Sequence, residues 1–479
     1  MYDSLLSRSF SKQEKKKLGY GGLLVFLVFL FSFSTVFKSF FTPFPVLNLR
    51  LSIKSDQKLN TLNVTAIFSS NKEEEVTFLL PNDTTTSHKL KLDTNDTSTS
   101  HKLKLDTEMC EKRERTELCE MKGDIRINGN ISTVFIVSSE QPQWRIRPYA
   151  RNGDFQAMNS VREWSLKPLS NPPQCSLTYN TSAILFSLGG YSGNHFHLFT
   201  DVILPLYSTA RRFNGSVQLL VTDNKPWLLS KFRTILNALS KFDIIDADRS
   251  TAGILCFNSI TVGLKRQSNR ELSVDPIPMK DFRQFLRSSY SLKKTRALKI
   301  ISMTRSRSRS RPRLLIISRK RSRAFTNVDS IAKMAKTLGF KVVVHEPDAD
   351  VTTSAKVMNS CDVVLGVHGA GLTNILFLPE NAILIQVVPF GGAEWVSKRY
   401  FEEPSKDMNI RYLEYKISID ESSLVQQYPS DDVVLRDPYA IQKQGWMVFK
   451  SIYFDNQNIS LHLNRFRPTL FKALELLHH

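Results

Sequence analysis

A chain of 479 residues, 41% hydrophobic and 23% charged, is too apolar to be wholly disordered and too long for one small core. Lys and Arg total 65 against 45 Asp and Glu, a net charge of +20, so partners with negative charge are favoured: nucleic acid, a membrane surface, phosphates or an acidic polymer. Five cysteines with neither a CxxC pair nor a zinc-type spacing exclude a disulfide-built miniprotein and a zinc finger.

Residues 18–37 carry no charge and contain LLVFLVFLFSF. As a helix they span about 30 Å, the thickness of a bilayer's hydrocarbon core. A cleaved signal peptide is the competing reading, but its apolar region is usually shorter, and no Ala-x-Ala-like site follows. The span therefore reads as an uncleaved anchor. Arg8, Lys12, Lys15, Lys16 and Lys17 outweigh Asp3 and Glu14, which leaves residues 1–17 as a cytosolic tail and everything after Lys38 luminal or extracellular.

Asn-x-Ser/Thr sequons at Asn63, Asn82, Asn95, Asn130, Asn180, Asn214 and Asn458 suit a glycosylated lumen. In an oxidising compartment Cys110 and Cys119 are close enough in sequence to pair, Cys175 with Cys256 is a second possibility, and Cys361, just before a predicted strand, reads as a buried free thiol. Residues 82–94 and 95–107 are a tandem duplication, NDTTTSHKLKLDT and NDTSTSHKLKLDT. Two short polar copies cannot bury a solenoid core, so residues 38–107 read as a flexible stem.

From Cys110 onward short apolar runs alternate with amphipathic stretches, the pattern of parallel α/β units. AILFSL (183–188), VQLLVT (217–222), FDII (242–245) and SITVG (259–263) predict strands in a first half, residues 108–300. RLLIIS (313–318), FKVVVHE (340–346), DVVLGVH (362–368) and AILIQVV (382–388) predict strands buried on both faces in a second half, residues 301–445. Val328, Ile331, Ala332, Ala335 and Leu338 recur at helical spacing between the first two of these, and Gly339 ends that helix. Residues 446–479 read as an extension packing back on the halves. The predicted class is α/β: two doubly wound parallel-sheet domains facing a crevice at the carboxyl ends of their strands.

Four segments could carry chemistry. HGAGLTN, residues 368–374, turns from a strand into a predicted helix; Gly369 and Gly371 permit close backbone approach, and the helix start offers N–H groups to a diphosphate. SRKRSR, residues 318–323, puts Arg319, Lys320, Arg321 and Arg323 on the same rim, where arginine grips phosphate oxygens bidentately. GGYSGNHFHLFTDVILPLY, residues 189–207, opens a helix on which Asn194, His197 and Asp201 share one face, opposite Phe199, Val202, Ile203 and Leu206. His197 or Asp201 could take a proton from an acceptor hydroxyl. Asp246-Ala-Asp248 and Asp348-Ala-Asp350 could hold a divalent metal against a nucleotide diphosphate, though surface loops are the plainer reading of both. MTRSRSRSRPR, with Arg305, Arg307, Arg309, Arg311 and Arg313, has the look of an RNA-associated tract, but it runs into a buried-type strand on the luminal side of the anchor. It reads as a basic interdomain linker, and nucleic acid is not an expected partner.

With GNHFHLFTD, ISRKRSR and HGAGLTN in that order behind an anchor, the chain resembles glycosyltransferase family 61, in particular the plant branch of xylan arabinosyl- and xylosyltransferases. The likeness runs from CEKRERTELCEMKGDIRI at Cys110 to NISLHLNRFRPTLFKAL ending at Leu474. It implies a GT-B-like pair of Rossmann-type domains, a UDP-sugar donor (UDP-arabinofuranose or UDP-xylose) held by the second, inversion at the anomeric carbon and no obligatory metal. Arg319, Arg323, Glu346, His368, Gly369, Ala370, Gly371 and Asn374 would then lie on the donor side, and Asn194, His197 and Asp201 would face the acceptor. Which of Arg319, Arg321 and Arg323 touches phosphate stays open, as do the donor sugar and the oligomeric state. The expectation is a single-pass type II Golgi membrane enzyme, held by residues 18–37, that transfers a pentose to the xylan backbone. The rival readings are transfer to another glycan or to a glycoprotein, a metal-dependent transferase using an Asp-x-Asp triplet, and a catalytically silent Golgi glycan-binding protein.

Overall fold

The computed structural model describes residues 110–478 apart from 114, 138–142, 250–252, 267–269, 275, 301–310 and 348–349. The expected tail, anchor and stem lie outside the described residues, with the duplication, Asn63, Asn82 and Asn95, as do Arg305, Arg307, Arg309 and Asp348. Among the described residues no helix is long and apolar enough to cross a membrane.

The first sheet is built from β1 (Cys110–Arg113), β2 (Thr116–Asn128), β3 (Thr133–Ile136), β4 (Trp144–Ile146), β5 (Trp164–Pro168), β6 (Leu177–Ser187), β7 (Val217–Thr222), β8 (Ile245–Asp246) and β9 (Ile254–Gly263). Their order is β4-β5-β3-β2-β9-β6-β7-β8, with β1 beside β2. Only part of it matches the parallel domain expected from sequence. β9, β6, β7 and β8 run parallel, whereas β2 pairs antiparallel with β1, β3 and β9. The cause is visible in β2: Leu118, Met121, Ile125 and Ile127 are buried while Glu120, Lys122 and Asp124 face water, the alternation of a strand with one wet face. The strand expected at 242–245 is confined to Ile245–Asp246, and Phe242 is exposed.

The second sheet contains β10 (Arg313–Ile317), β11 (Lys341–His345), β12 (Val363–Val367), β13 (Ile383–Val388) and β14 (Arg411–Lys416), all parallel, in the order β11-β10-β12-β13-β14. The chain leaves β10 outward to β11 and returns on the other side to β12. Such a reversal opens a crevice at the carboxyl ends of the two central strands. The same reversal occurs in the first sheet, where the chain leaves β6 toward β7 and β8 and returns as β9 on β6's other side. Two switch points thus precede two loops, 188–194 after β6 and 318–323 after β10.

The halves are fused rather than hinged. One apolar cluster joins Ile184 and Leu219 of the first sheet to Ile317, Val364 and Leu384 of the second through Phe199, Phe232, Leu372 and Phe377. The helix Met279–Ser289 crosses between them with Phe282 and Leu286 buried. Its Arg283 donates to the carbonyl oxygens of Leu376, Leu378 and Met408, and burial lowers its pKa to about 10. The helix Leu463–His478 covers the far face of the second sheet with Phe466, Leu470, Ala473 and Leu477.

Cys110 is bonded to Cys119, tying β1 to β2, and Cys175 to Cys256, tying the approach to β6 onto β9; Cys361 is free and buried. Asn130, Asn180 and Asn214 are exposed, whereas Asn458 is half-buried and its Oδ1 accepts from the Ala324 amide at 3.0 Å.

Candidate active site

Beyond β6 the chain starts a helix at His195, and Asn194 caps it: its Oδ1 accepts from the amides of Phe196 (2.9 Å) and His197 (3.5 Å). Sequence periodicity placed Asn194 on a reactive face, but an Asn before the first helical residue is also a capping signature, and that is the role it fills here. The helix widens into a π-helical stretch, Leu198–Ile203, before resuming as Leu204–Ala210. Inserted π turns of this kind often mark functional positions.

Asp201 sits in that stretch, fully buried. It accepts from Tyr149 Oη (3.0 Å), Arg151 Nε (2.8 Å), Arg266 Nη1 (3.1 Å) and Thr200 Oγ1 (2.9 Å), and lies 3.3 Å from His197 Nδ1. Burial alone would raise its pKa, but the hydrogen bond from His197 and the charge and hydrogen bond of Arg151 outweigh it and hold the carboxyl well below its ordinary range. Glu271 continues the network, 2.6 Å from Arg115 and 2.9 Å from Arg266, and those charges likewise outweigh burial to keep it ionised. His197 is the partly open member: 26% of its side chain is exposed, and Arg151 Nη2 stands 2.9 Å from its Nδ1. Arg115, Tyr149, Arg151, Arg266 and Glu271 escape sequence reasoning because they come from separate loops, with no motif to link them.

On the second sheet, Arg319 and Arg323 follow β10 while His368 and Gly369 follow β12, so both pairs flank its switch point. A Cβ at Gly369, whose φ is +145°, would lie 2.8 Å from Nη1 of both Arg319 and Arg323. Glycine lets the two guanidinium groups lie against the backbone; a side chain here would have to push their flexible ends aside and adopt a strained φ. At Gly371 a Cβ would meet only ordinary contacts, 3.8 Å from Ile317 and 3.9 Å from Arg319, so close approach does not depend on that second glycine. Arg323 donates to the His368 carbonyl (3.1 Å) and lies over Phe454; Arg319 donates to the Ser322 carbonyl (2.8 Å). Neither makes an ion pair within 4.0 Å among the described residues, unlike Lys320, which lies 2.9 Å from Glu346. Burial, then the neighbouring Arg319, lowers the Arg323 pKa to about 9. Arg321 is exposed.

His368 is buried, with Gln386 Nε2 at 2.7 Å from its Nδ1, and burial plus Arg323 and Arg319 lower its pKa to about 3, keeping the ring neutral. The helix predicted after Gly369 is a 3₁₀ helix, Ala370–Phe377; Asn374 closes onto the Gly371 carbonyl (3.0 Å). Tyr400 joins the two half-sites, its ring 5.1 Å from Phe196 and 6.4 Å from His368.

A cavity of about 480 Å³ opens between the halves, lined by His195 and Lys231 from the first and by Arg319, Glu346, Gly371 and Asn374 from the second. Among the described residues no cluster of His, Cys, Asp and Glu forms a metal site. Asp248 accepts from Thr222 Oγ1 and the Asp223 amide, Asp246 from Asn224 Nδ2, and Asp350 caps the helix Val351–Ser360, so these three organise loops.

A family model described as Glycosyltransferase 61 matches residues 195–385, which takes in His197, Asp201, Arg319 and His368. The chain is 40% identical over 373 residues to Alpha-1,3-arabinosyltransferase XAT3 of Oryza sativa subsp. japonica, covering 76% of the chain and 64% of that protein. It is 38% identical to Beta-1,2-xylosyltransferase XYXT1 of the same plant, covering 77% of the chain and 84% of that protein, and 35% identical to Xylan glycosyltransferase MUCI21 of Arabidopsis thaliana, covering 75% and 77%. The alignment with the arabinosyltransferase thus spans under two thirds of that relative's length. Two half-sites on separate switch points, one built around a carboxylate-backed histidine and the other around paired arginines, sit within the matched residues, and the chain belongs to the glycosyltransferase 61 family.

Proposed function

We propose that the chain is an inverting glycosyltransferase that moves a pentose from a UDP-sugar to the xylan backbone, as a type II Golgi membrane protein anchored by residues 18–37. The observation that carries this reading is the Arg319–Arg323 pair: two half-buried guanidinium groups against Gly369 at a switch point, with no ion pair within 4.0 Å among the described residues, a cradle suited to a diphosphate. Relatives named as xylan arabinosyl- and xylosyltransferases support pentose and xylan as donor sugar and acceptor.

The chemistry divides between the half-sites. Asp201 is enclosed by four donors and cannot reach an acceptor hydroxyl, whereas His197 is open on one side. Once Arg151 Nη2 withdraws from its 2.9 Å approach to Nδ1 and Nδ1–H turns to Asp201, the Nε2 lone pair of His197 takes the proton as the acceptor oxygen bonds to the anomeric carbon. The bond from that carbon to the diphosphate oxygen breaks, UDP leaves with the electron pair, and Arg319 and Arg323 meet its charge. Attack opposite to departure inverts the anomeric centre.

Titration of UDP against the unaltered chain, Arg319→Ala and His368→Ala tests the donor side. Weaker binding in both variants is expected. Unaltered affinity in Arg319→Ala, with the fold intact, overturns the assignment.

A further inference from the structure

His195 is not explained by the reading above. It belongs to the first half, opens the helix capped by Asn194, and lines the cavity whose other wall is Arg319, Gly371 and Asn374. Both its ring nitrogens are sealed from solvent, yet neither makes a hydrogen bond of ordinary geometry. Asn374 is the side chain whose hydrogen bond acts on the ring, and its Nδ2 also donates to the Gly371 carbonyl, so at most one ring nitrogen has a protein partner. A ring nitrogen sealed from water without a partner is costly, and such groups in a native structure commonly await a ligand.

The plain alternative is a ring that only fills space, since His195 packs edge-on to Phe199 (5.2 Å between centroids) and against Phe232 (6.0 Å). Phenylalanine would fill that space without stranding a ring nitrogen. Position also counts, because His195 faces the diphosphate cradle from the half that bears His197, two residues on. A sugar joined to a diphosphate held by Arg319 and Arg323, and presented to His197, must pass between these groups.

We propose that His195 is a donor-sugar contact: its ring hydrogen-bonds the hydroxyl groups of the transferred sugar and so contributes to donor choice. This rests on the UDP-sugar reading. Burial, then the charge of Lys231, lowers the pKa of His195 to about 4, so the ring is neutral near pH 7 and offers one N–H and one lone pair, a match for a hydroxyl that can accept and donate. A site built to hydrogen-bond substrate hydroxyls discriminates strongly, because an analogue that lacks them leaves buried polar groups unpaired.

The test uses the purified full-length chain and two variants, His195→Phe, which keeps the ring, and His195→Gln, which keeps a polar group. Affinity is measured by calorimetry for UDP, UDP-xylose and UDP-arabinofuranose, alongside melting temperature. The expected result for His195→Phe is an unchanged or raised melting temperature, UDP affinity within about twofold, and a loss of roughly tenfold or more for the UDP-sugar the unaltered chain prefers, partly restored in His195→Gln. Equal affinity of His195→Phe and the unaltered chain for that UDP-sugar overturns the proposal and leaves the UDP-sugar reading standing. Equal loss of UDP and UDP-sugar by a folded variant also overturns it, since the contact would then be to the nucleotide. If the unaltered chain binds none of the three, the UDP-sugar reading fails and this proposal fails with it.

Discussion

Nδ1 of His197 lies 3.3 Å from Oδ2 of Asp201, four residues further along the same segment, and the carboxylate is closed off on its other sides by Tyr149, Arg151, Arg266 and Thr200. This arrangement separates two roles that sequence left together. Asp201 is enclosed, and His197 is the partly exposed member of the pair.

Substitution at the two positions should therefore fail in different ways. Asp201→Asn strands the charges of Arg151 and Arg266 in the interior, and breaking a buried pair from one side costs about 3–5 kcal/mol, so a large fall in melting temperature is expected. His197→Ala should leave the melting temperature and UDP affinity nearly unchanged and lower kcat by roughly 10²–10⁴-fold, the usual contribution of a positioned base. Full turnover by His197→Ala would remove it from the proton transfer.

Gly369→Ala should disable the donor side. The new methyl group meets both guanidinium groups at a φ that costs an L-residue on the order of 1–3 kcal/mol. UDP binding should weaken roughly tenfold or more, as for loss of a charge-assisted contact. Gly371→Ala meets only ordinary contacts and should lose less. Titration calorimetry on the pair checks the ranking, and the reverse order would contradict the cradle described above.

Stability should fall on mild acidification. His195 and His368 have folded pKa values lowered to about 4 and about 3, chiefly by burial, against an ordinary 6.5. Between about pH 6.5 and 4 the unfolded chain binds protons that the folded chain does not, so each ring removes about 1.4 kcal/mol per pH unit as pH falls. Asp201 and Glu271 are depressed instead; their contribution is intact above about pH 4 to 5 and is lost only below it, as pH drops toward their folded values. Melting curves from pH 7.5 to 5 should show the histidine slope, and His195→Phe should remove one ring's share of it. An unchanged slope in that variant would contradict the burial argument.

Reduction should act mainly through one disulfide. Cys110–Cys119 spans 9 residues and Cys175–Cys256 spans 81, so chain entropy favours the longer closure by about 2 kcal/mol. Cys175→Ser should lower the melting temperature more than Cys110→Ser. Equal shifts would place the stabilisation elsewhere.

Much of the second half was legible because its chemistry is local. The apolar runs of β10, β12 and β13 are buried on both faces, and both halves of the arginine cradle lie at strand ends within seven-residue segments. β11 departs from that expectation: it is the edge strand, none of its residues is fully buried, and Val344 is exposed. β2, β14 and their neighbours were missed because a strand with one wet face reads as polar, as Arg411–Lys416 with its single buried residue does. The acceptor side was half legible. GNHFHLFTD announced itself, but Arg151 and Arg266 reach Asp201, and Glu271 reaches Arg266, only through loops that the pairing of β9 beside β6 brings together, and Asn194, expected on the reactive face, also caps the helix. His195 was passed over because a histidine beside phenylalanine gives no sign of facing a cavity.

The most direct measurement incubates the full-length chain with xylo-oligosaccharides and a panel of UDP-sugars, with and without chelator, and reads the products by mass spectrometry. The account predicts one pentose increment from one UDP-pentose, released with inverted configuration and retained in chelator. A folded chain that binds UDP yet transfers no pentose from any donor to xylo-oligosaccharide would contradict it.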